Sequence, residues 1–269
     1  MSTLRVLLTG LGFGESPRWH DDRLWFCNWK TQQVVALDLD GNNEVVTHIP
    51  TTIPYSIDWL PDGRMLAVSG QEALVLRQEP DGSLVTHADL SGIDRVFNEI
   101  VVDARGNAYV NGGVVAVVAP NGSARQVAGD IDFGNGMAVT ADGSTLIVAE
   151  SHGNCLTAFD IGADGGLSNR RVWADLGGGA PDGICLDAEG AVWYADVPNK
   201  RCVRVRAGGE VLQTIDLDRG CFACMLGGPD GRTLFMLAAE WRGFEHMMDE
   251  TRTGQVVTAE VRVPHAGRP

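Results

Sequence analysis

Hydrophobic residues fall along this chain in short runs, each closed by a polar pair and a glycine. No long segment carries apolar positions at a 3.6-residue period, so the pattern predicts strands and almost no helix. One nine-residue motif recurs: a polar opener, an apolar run, an acidic or small pair, and glycine. Its clearest copy is Asp182 to Gly190 (DGICLDAEG), and four segments align with it without a gap: Tyr55 to Gly63, Asn98 to Gly106, Asn135 to Gly143 and Ala223 to Gly231. Glu15 to Asp22 fits with one residue deleted. A further apolar run follows every copy, as at Met65 to Val68 and Ala191 to Ala195, so each unit reads strand, tight turn, strand. The Asp-Gly pairs predict two-residue hairpins, where Gly, Asp and Asn tolerate positive φ.

The copies end at residues 22, 63, 106, 143, 190 and 231, a spacing near that of a four-stranded propeller blade. The expectation is therefore an all-β, six-bladed β-propeller of four-stranded blades filling residues 1–269 as one domain. A ring must join its ends, and the apolar stretch Leu4 to Thr9 is expected to pair as the outer strand of the last blade, removing exposed edges at the seam. Residues 240–253 (EWRGFEHMMDETRT) break the rhythm as a long polar connection that either covers a site or is a plain excursion.

Charge narrows the partners. With 21 Lys plus Arg against 35 Asp plus Glu, the net charge of −14 opposes nucleic-acid backbones and anionic membranes. The amino terminus lacks a secretory leader pattern and no apolar run approaches a membrane span, so a cytoplasmic protein is expected, a monomer or weak homodimer.

Aligned vertically, the repeats place Glu15, Tyr55, Asn98, Asn135, Asp182 and Ala223 at the start of the six innermost strands, which converge near the central channel. Any one polar residue there suits a turn. Four oxygen donors together, two of them anionic, repel one another unless a divalent cation joins them. Two carboxylates and two amide oxygens are hard donors favouring Ca²⁺, Mg²⁺ or Mn²⁺, with Zn²⁺ or Fe²⁺ also able to bind. Four protein ligands leave coordination positions open to water or substrate.

These residues resemble the regucalcin and gluconolactonase family of six-bladed propellers. The likeness rests on Gly14-Glu15-Ser16-Pro17-Arg18-Trp19, Asn98 to Asp103 (NEIVVD), Gly134-Asn135-Gly136-Met137-Ala138, Pro181-Asp182-Gly183 and Cys221 to Gly228 (CFACMLGG). It implies that Glu15, Asn135 and Asp182 hold one divalent cation, calcium foremost, with Asn98 touching metal or substrate. It also implies hydrolysis of a small lactone, an aldonolactone foremost, with Asp182 as general base. Many relatives carry Arg-x-Asn-Asp where this chain has Arg95-Val96-Phe97-Asn98-Glu99, so Arg95 either binds substrate or lies on the surface. Tyr55 replaces an oxygen ligand in the column and is expected to line the pocket. Trp29, His152, Asp196, Asn199 and Trp241 fall on loops expected at the rim. The alternatives are organophosphate hydrolysis at the same metal and a calcium- or partner-binding propeller without turnover. Of the six cysteines, Cys221 and Cys224 form a CxxC without a second pair, expected as packed thiols, and the other four are scattered singly.

Overall fold

The computed structural model describes residues 3–247 and 249–267. Its strands form six four-stranded antiparallel sheets, each built from strands consecutive in sequence except the last. The innermost strands are Gly14–His20, Tyr55–Trp59, Phe97–Val102, Gly134–Val139, Pro181–Leu186 and Gly220–Gly227, here blades 1 to 6. The protein is a six-bladed β-propeller, and its helical content among the described residues is two single 3₁₀ turns, Trp29–Thr31 and Phe244–His246. The expected closure is present: Arg5–Leu11 pairs antiparallel with Gly254–Glu260 as the outer strand of blade 6, from Arg5↔Thr258 to Leu11↔Gly254.

Burial follows the radial order of the strands. The inner strands of blades 2 and 6 are buried at every position, whereas an outer strand such as Asn43–His48 is mostly exposed. The apolar side chains pack between neighbouring blades. Ile57 and Cys27 fill the space between blades 1 and 2, Phe26 that between blades 1 and 6, and Ile100 and Val68 that between blades 2 and 3. Each blade is thus held by its neighbours, and the ring positions the inner strand starts around one axis.

The repeat's acidic residue and glycine have separate tasks. Asp103 Oδ1 accepts from the backbone N–H of Arg105 and Asn107, and Asp187 Oδ1 does the same from Glu189 and Ala191. Gly106 and Gly190 then close the turn at φ 84° and 74°, in the left-handed region where a side chain is strained. These connections have three residues between the flanking pair, as in Asp187 N–H to Ala191 O and back from Gly190 N–H to Asp187 O. They are type I turns with a glycine bulge, not the two-residue hairpins the Asp-Gly pairs predict. Blade 1 alone among the six has the two-residue form, between His20 and Arg23, with Asp21 and Asp22 both at positive φ. That accounts for the residue its repeat lacks.

Candidate metal centre

The oxygen donors are aimed by a defect repeated in the inner strands. In blades 3, 4 and 5 two residues oppose one: Asn98 and Glu99 between the pairs Phe97↔Gly112 and Ile100↔Val110, Asn135 and Gly136 between Gly134↔Glu150 and Met137↔Val148, Asp182 and Gly183 between Pro181↔Asp196 and Ile184↔Tyr194. Blade 1 bulges just after Glu15, with Ser16 at φ 50°. A bulge interrupts the alternation of side chains and turns one of them out of the sheet. Blade 2 has no bulge; its ladder runs evenly from Tyr55↔Ser69 to Trp59↔Met65.

Tyr55 is therefore not a pocket residue. Its side chain is fully buried between blades 1 and 2, and its hydroxyl donates to the carbonyls of Asn28 at 2.9 Å and Gln33 at 3.1 Å. Without a bulge the residue keeps the strand's own facing, into the core. Two of the expected rim residues are scaffold as well. Trp29 is buried with its N–H on Tyr55 O, and Asp196 is sealed beneath Asn199 and Arg201. Arg95 is exposed two residues before the inner strand of blade 3, its backbone N–H capped by Asp94.

The four polar members of the column come together. Asn98 Nδ2 donates to Asn135 Oδ1 and to Gly134 O, both at 3.2 Å. Ser151 supports the pair from behind, receiving Asn135 Nδ2 at 3.4 Å and donating to Pro181 O at 2.6 Å. Asn111 fixes the bulges of blades 3 and 4, accepting from Glu99 N–H and donating to Asn135 O. Glu15 is pushed well above the usual carboxylate range, first by burial, then by the charges of Asp182 and Glu99. Asp182 is pushed up likewise, by burial and then by Glu99, with a hydrogen bond from Asn135 pulling the other way. Asp182 Oδ1 is buried and has no hydrogen-bond partner.

Beneath these donors lies a plug that the repeat pattern did not disclose. Arg18 is buried with Nη2 on Glu99 Oε1 at 3.1 Å and on Ile100 O at 2.5 Å, Nη1 on Pro17 O, and Nε 3.9 Å from Asp58. Asp58 accepts from the N–H groups of Trp59 and Val102, and Ser16 Oγ donates to Glu99. This knits the inner strands of blades 1, 2 and 3. Arg18 and Glu99 stand inside the motifs quoted above, but one letter does not tell a buried ion pair from a surface charge.

The charges do not balance. One guanidinium, Arg18, stands among the carboxylates of Glu15, Asp58, Glu99 and Asp182, all in a buried channel. An unpartnered buried carboxylate oxygen costs about 1–3 kcal/mol or more. A divalent cation held by Glu15, Asn98, Asn135 and Asp182 meets that oxygen and most of the excess charge, so the residues fit the ion. Among the described residues no three His, Cys, Asp or Glu are grouped as a metal site; the column brings two carboxylates and two amides. The cysteines are less dispersed than their spacing suggests: Cys185, Cys202, Cys221 and Cys224 gather in the core of blades 5 and 6, with Cys224 Sγ 3.6 Å from Gly183 O. All are free thiols, and burial raises the first three.

The described residues of the 240–253 connection lie against the mouth of the channel. Trp241 meets Phe222 of blade 6, and Phe244 faces Phe133, two residues ahead of Asn135. Lys30 holds the far side of the loop, its Nζ donating to the carbonyls of Asp249 at 2.7 Å and Thr251 at 2.9 Å.

Comparison with known proteins agrees with this architecture. Residues 13–240 match the family described as SMP-30/Gluconolactonase/LRE-like region. A 6-deoxy-6-sulfogluconolactonase of Pseudomonas putida is 31% identical over 59% of this chain and 56% of its own length, so the match spans little more than half of that relative. Regucalcin of Xenopus laevis is 28% identical over 84% of this chain and 83% of its own, and the pentonolactonase XacC of Haloferax volcanii 25% over 89% and 86%. In fold, the chain resembles the crystal structure of a calcium-binding regucalcin from Agrobacterium tumefaciens (TM-score 0.83, 21% identity, 100% of this chain and 97% of that one). A gluconolactonase of Xanthomonas campestris is similar too (TM-score 0.77, 20% identity, 98% and 90%). The match over residues 13–240, five of six blades complete and the sixth in part, makes this chain a member of the SMP-30/gluconolactonase/LRE-like family.

Proposed function

We propose that the chain is a metal-dependent lactonase that opens a small sugar lactone, an aldonolactone foremost. The observation that carries this is the unpartnered Asp182 Oδ1 in a channel whose carboxylates outnumber its one guanidinium. Relatives named sulfogluconolactonase, pentonolactonase and gluconolactonase support the reaction class, and calcium-binding regucalcin supports the cation. Glu15, Asn98, Asn135 and Asp182 would hold the ion. Bound there, a divalent cation polarises the ester carbonyl and lowers the pKa of water.

The remaining work falls to side chains. Asp182 takes the proton of the attacking water as general base. Asn98 has an amide oxygen and nitrogen at the site edge to orient the ring ester, and Arg95, exposed two residues before that strand, would hold a substrate hydroxyl or acid group. The ion pair of Arg18 and Glu99 is buried below the donors, so substrate would enter from the loop side.

The test is acid release from a panel of sugar lactones and one phosphate triester, on chelator-stripped protein before and after addition of Ca²⁺, Mn²⁺, Zn²⁺ or Fe²⁺. Metal-restored turnover of a γ- or δ-lactone is the expected result. Turnover of the phosphate ester alone would transfer the site to organophosphate hydrolysis, and metal binding without turnover of anything would leave a binding propeller.

A further inference from the structure

Aromatic rings line one side of the mouth. His152 stacks on Phe133 with 4.5 Å between centroids and 25° between planes, and Phe133 lies 6.3 Å from Phe244 at 58°. Phe244 then meets Trp241 edge-on at 5.0 Å, and Trp241 meets Phe222 at 5.7 Å. The row thus bridges blade 4 and blade 6 through the 240–253 loop.

Two features of this row are costly unless used. Phe133 and Phe244 are 43% and 63% exposed, the two aromatic residues among the exposed large hydrophobics of the described residues. Phe133 also sits at φ 59°, where a bulky residue is an outlier costing about 1–3 kcal/mol. Neither core packing nor turn chemistry asks for a phenylalanine there. The two rings do not stack on each other; they meet at 58° with 6.3 Å between centroids, too close to admit a third ring, and His152 covers one face of Phe133, so the wedge offers only its outer side. The wedge stands beside Asn135, two residues along the chain from Phe133.

We propose that Phe133 and Phe244 together clamp one face of a ring-shaped substrate against the donor side of the mouth, so that the site recognises the cyclic lactone by its C–H face and releases the open-chain acid. This deepens the lactonase reading and rests on it. Aromatic faces are negative and C–H edges positive, so a saturated ring laid on the outer side of the wedge gains contact with both phenyl groups. Ring opening removes that rigid face, which favours departure of product. Phe133 and Phe244 are specificity residues, and Lys30, which holds the loop, is a positioning residue.

The experiment measures binding without turnover. Calcium-loaded protein is titrated with 1,5-anhydroglucitol, a pyranose ring with no ester, and with open-chain glucitol. The wild type is expected to bind the ring about tenfold more tightly, equivalent to about 1.4 kcal/mol. Phe133→Gly, which also relieves the backbone, and Phe244→Ala should each bring the ratio below about threefold, within the usual worth of one aromatic contact. Val172→Ala, at an exposed site on the outer strand of blade 4, should leave it unchanged. A ratio near one in the wild type, or an undiminished ratio in both variants, overturns the clamp. Failure of the lactonase reading gives a different result, an intact ratio with no acid released from any lactone. The calcium-induced rise in melting temperature, which neither phenylalanine touches, verifies that each variant is folded.

Discussion

Replacing Asp182 by Asn separates a metal site from a merely buried carboxylate, because the two readings predict opposite signs for the metal-free protein. Asp182 raises the proton affinity of Glu15, Glu99 raises that of both, and Asp182 Oδ1 is sealed without a partner. In chelator-treated protein at pH 8 the substitution removes one member of this repelling set, so the variant should melt no lower than the wild type. Calcium should then do little for it. A ligand present at 100 times its dissociation constant stabilises the native state by about 2.7 kcal/mol, and at about 2–4 °C per kcal/mol for a large domain the wild type should rise by roughly 5–10 °C. Removing one member of a buried charged set costs about 3–5 kcal/mol, enough to weaken binding at least 100-fold. At the same calcium concentration the gain then shrinks to about 0.4 kcal/mol, a shift of roughly 1 °C. Scanning calorimetry of both proteins, stripped and at fixed calcium, reads all four values. A variant that is several kcal/mol less stable when metal-free yet keeps the full calcium shift would show that Asp182 is structural and that the cation lies elsewhere.

Four further outcomes follow from particular contacts. Metal-free stability should fall as pH rises: the folded carboxyls of Glu15 and Asp182 titrate above their unfolded value of about 4, so their contribution is complete below that value and lost as pH climbs through the raised folded ones. Melting curves from pH 5 to 8 should show this slope in stripped wild type, less of it in Glu15→Gln, and little with calcium present. Arg18→Met should cost about 3–5 kcal/mol in denaturant titration, since it takes from the buried carboxylate of Glu99 the guanidinium it is paired with. Gly136→Ala would put a methyl group 2.5 Å from Ile184 N and 2.6 Å from Asp182 O, so blade 5 must move; about 1–3 kcal/mol of stability and much of the calcium response should go with it. Lys30→Met should free the loop over the mouth, raising KM for a sugar lactone several-fold while leaving the calcium-induced melting shift in place.

The bulges explain both how far the sequence could be read and where the reading stopped. Ring size, strand order and closure depend on hydrophobic runs and turn glycines, which are local and repeat, so they stand in the letters. Glu15, Asn98, Asn135 and Asp182 were reachable because their inner strands break register at or just after them, which preserves the alignment of repeats while turning each side chain inward. Tyr55 occupies the same column on an unbroken strand and faces the core instead. A column in an alignment records where the backbone passes; a bulge decides which way the residue looks, and it depends on partner strands such as Val192–Asp196 that lie elsewhere in the sequence. The plug and the clamp were hidden for the same reason. Arg18 becomes part of the site only because Glu99 and Asp58 arrive from two other blades, and Phe133 only because Phe244 crosses from blade 6. What the repeat specifies is the frame on which oxygen donors can meet. The features that make this one channel a particular site are the pairings between blades, and those are properties of the closed ring.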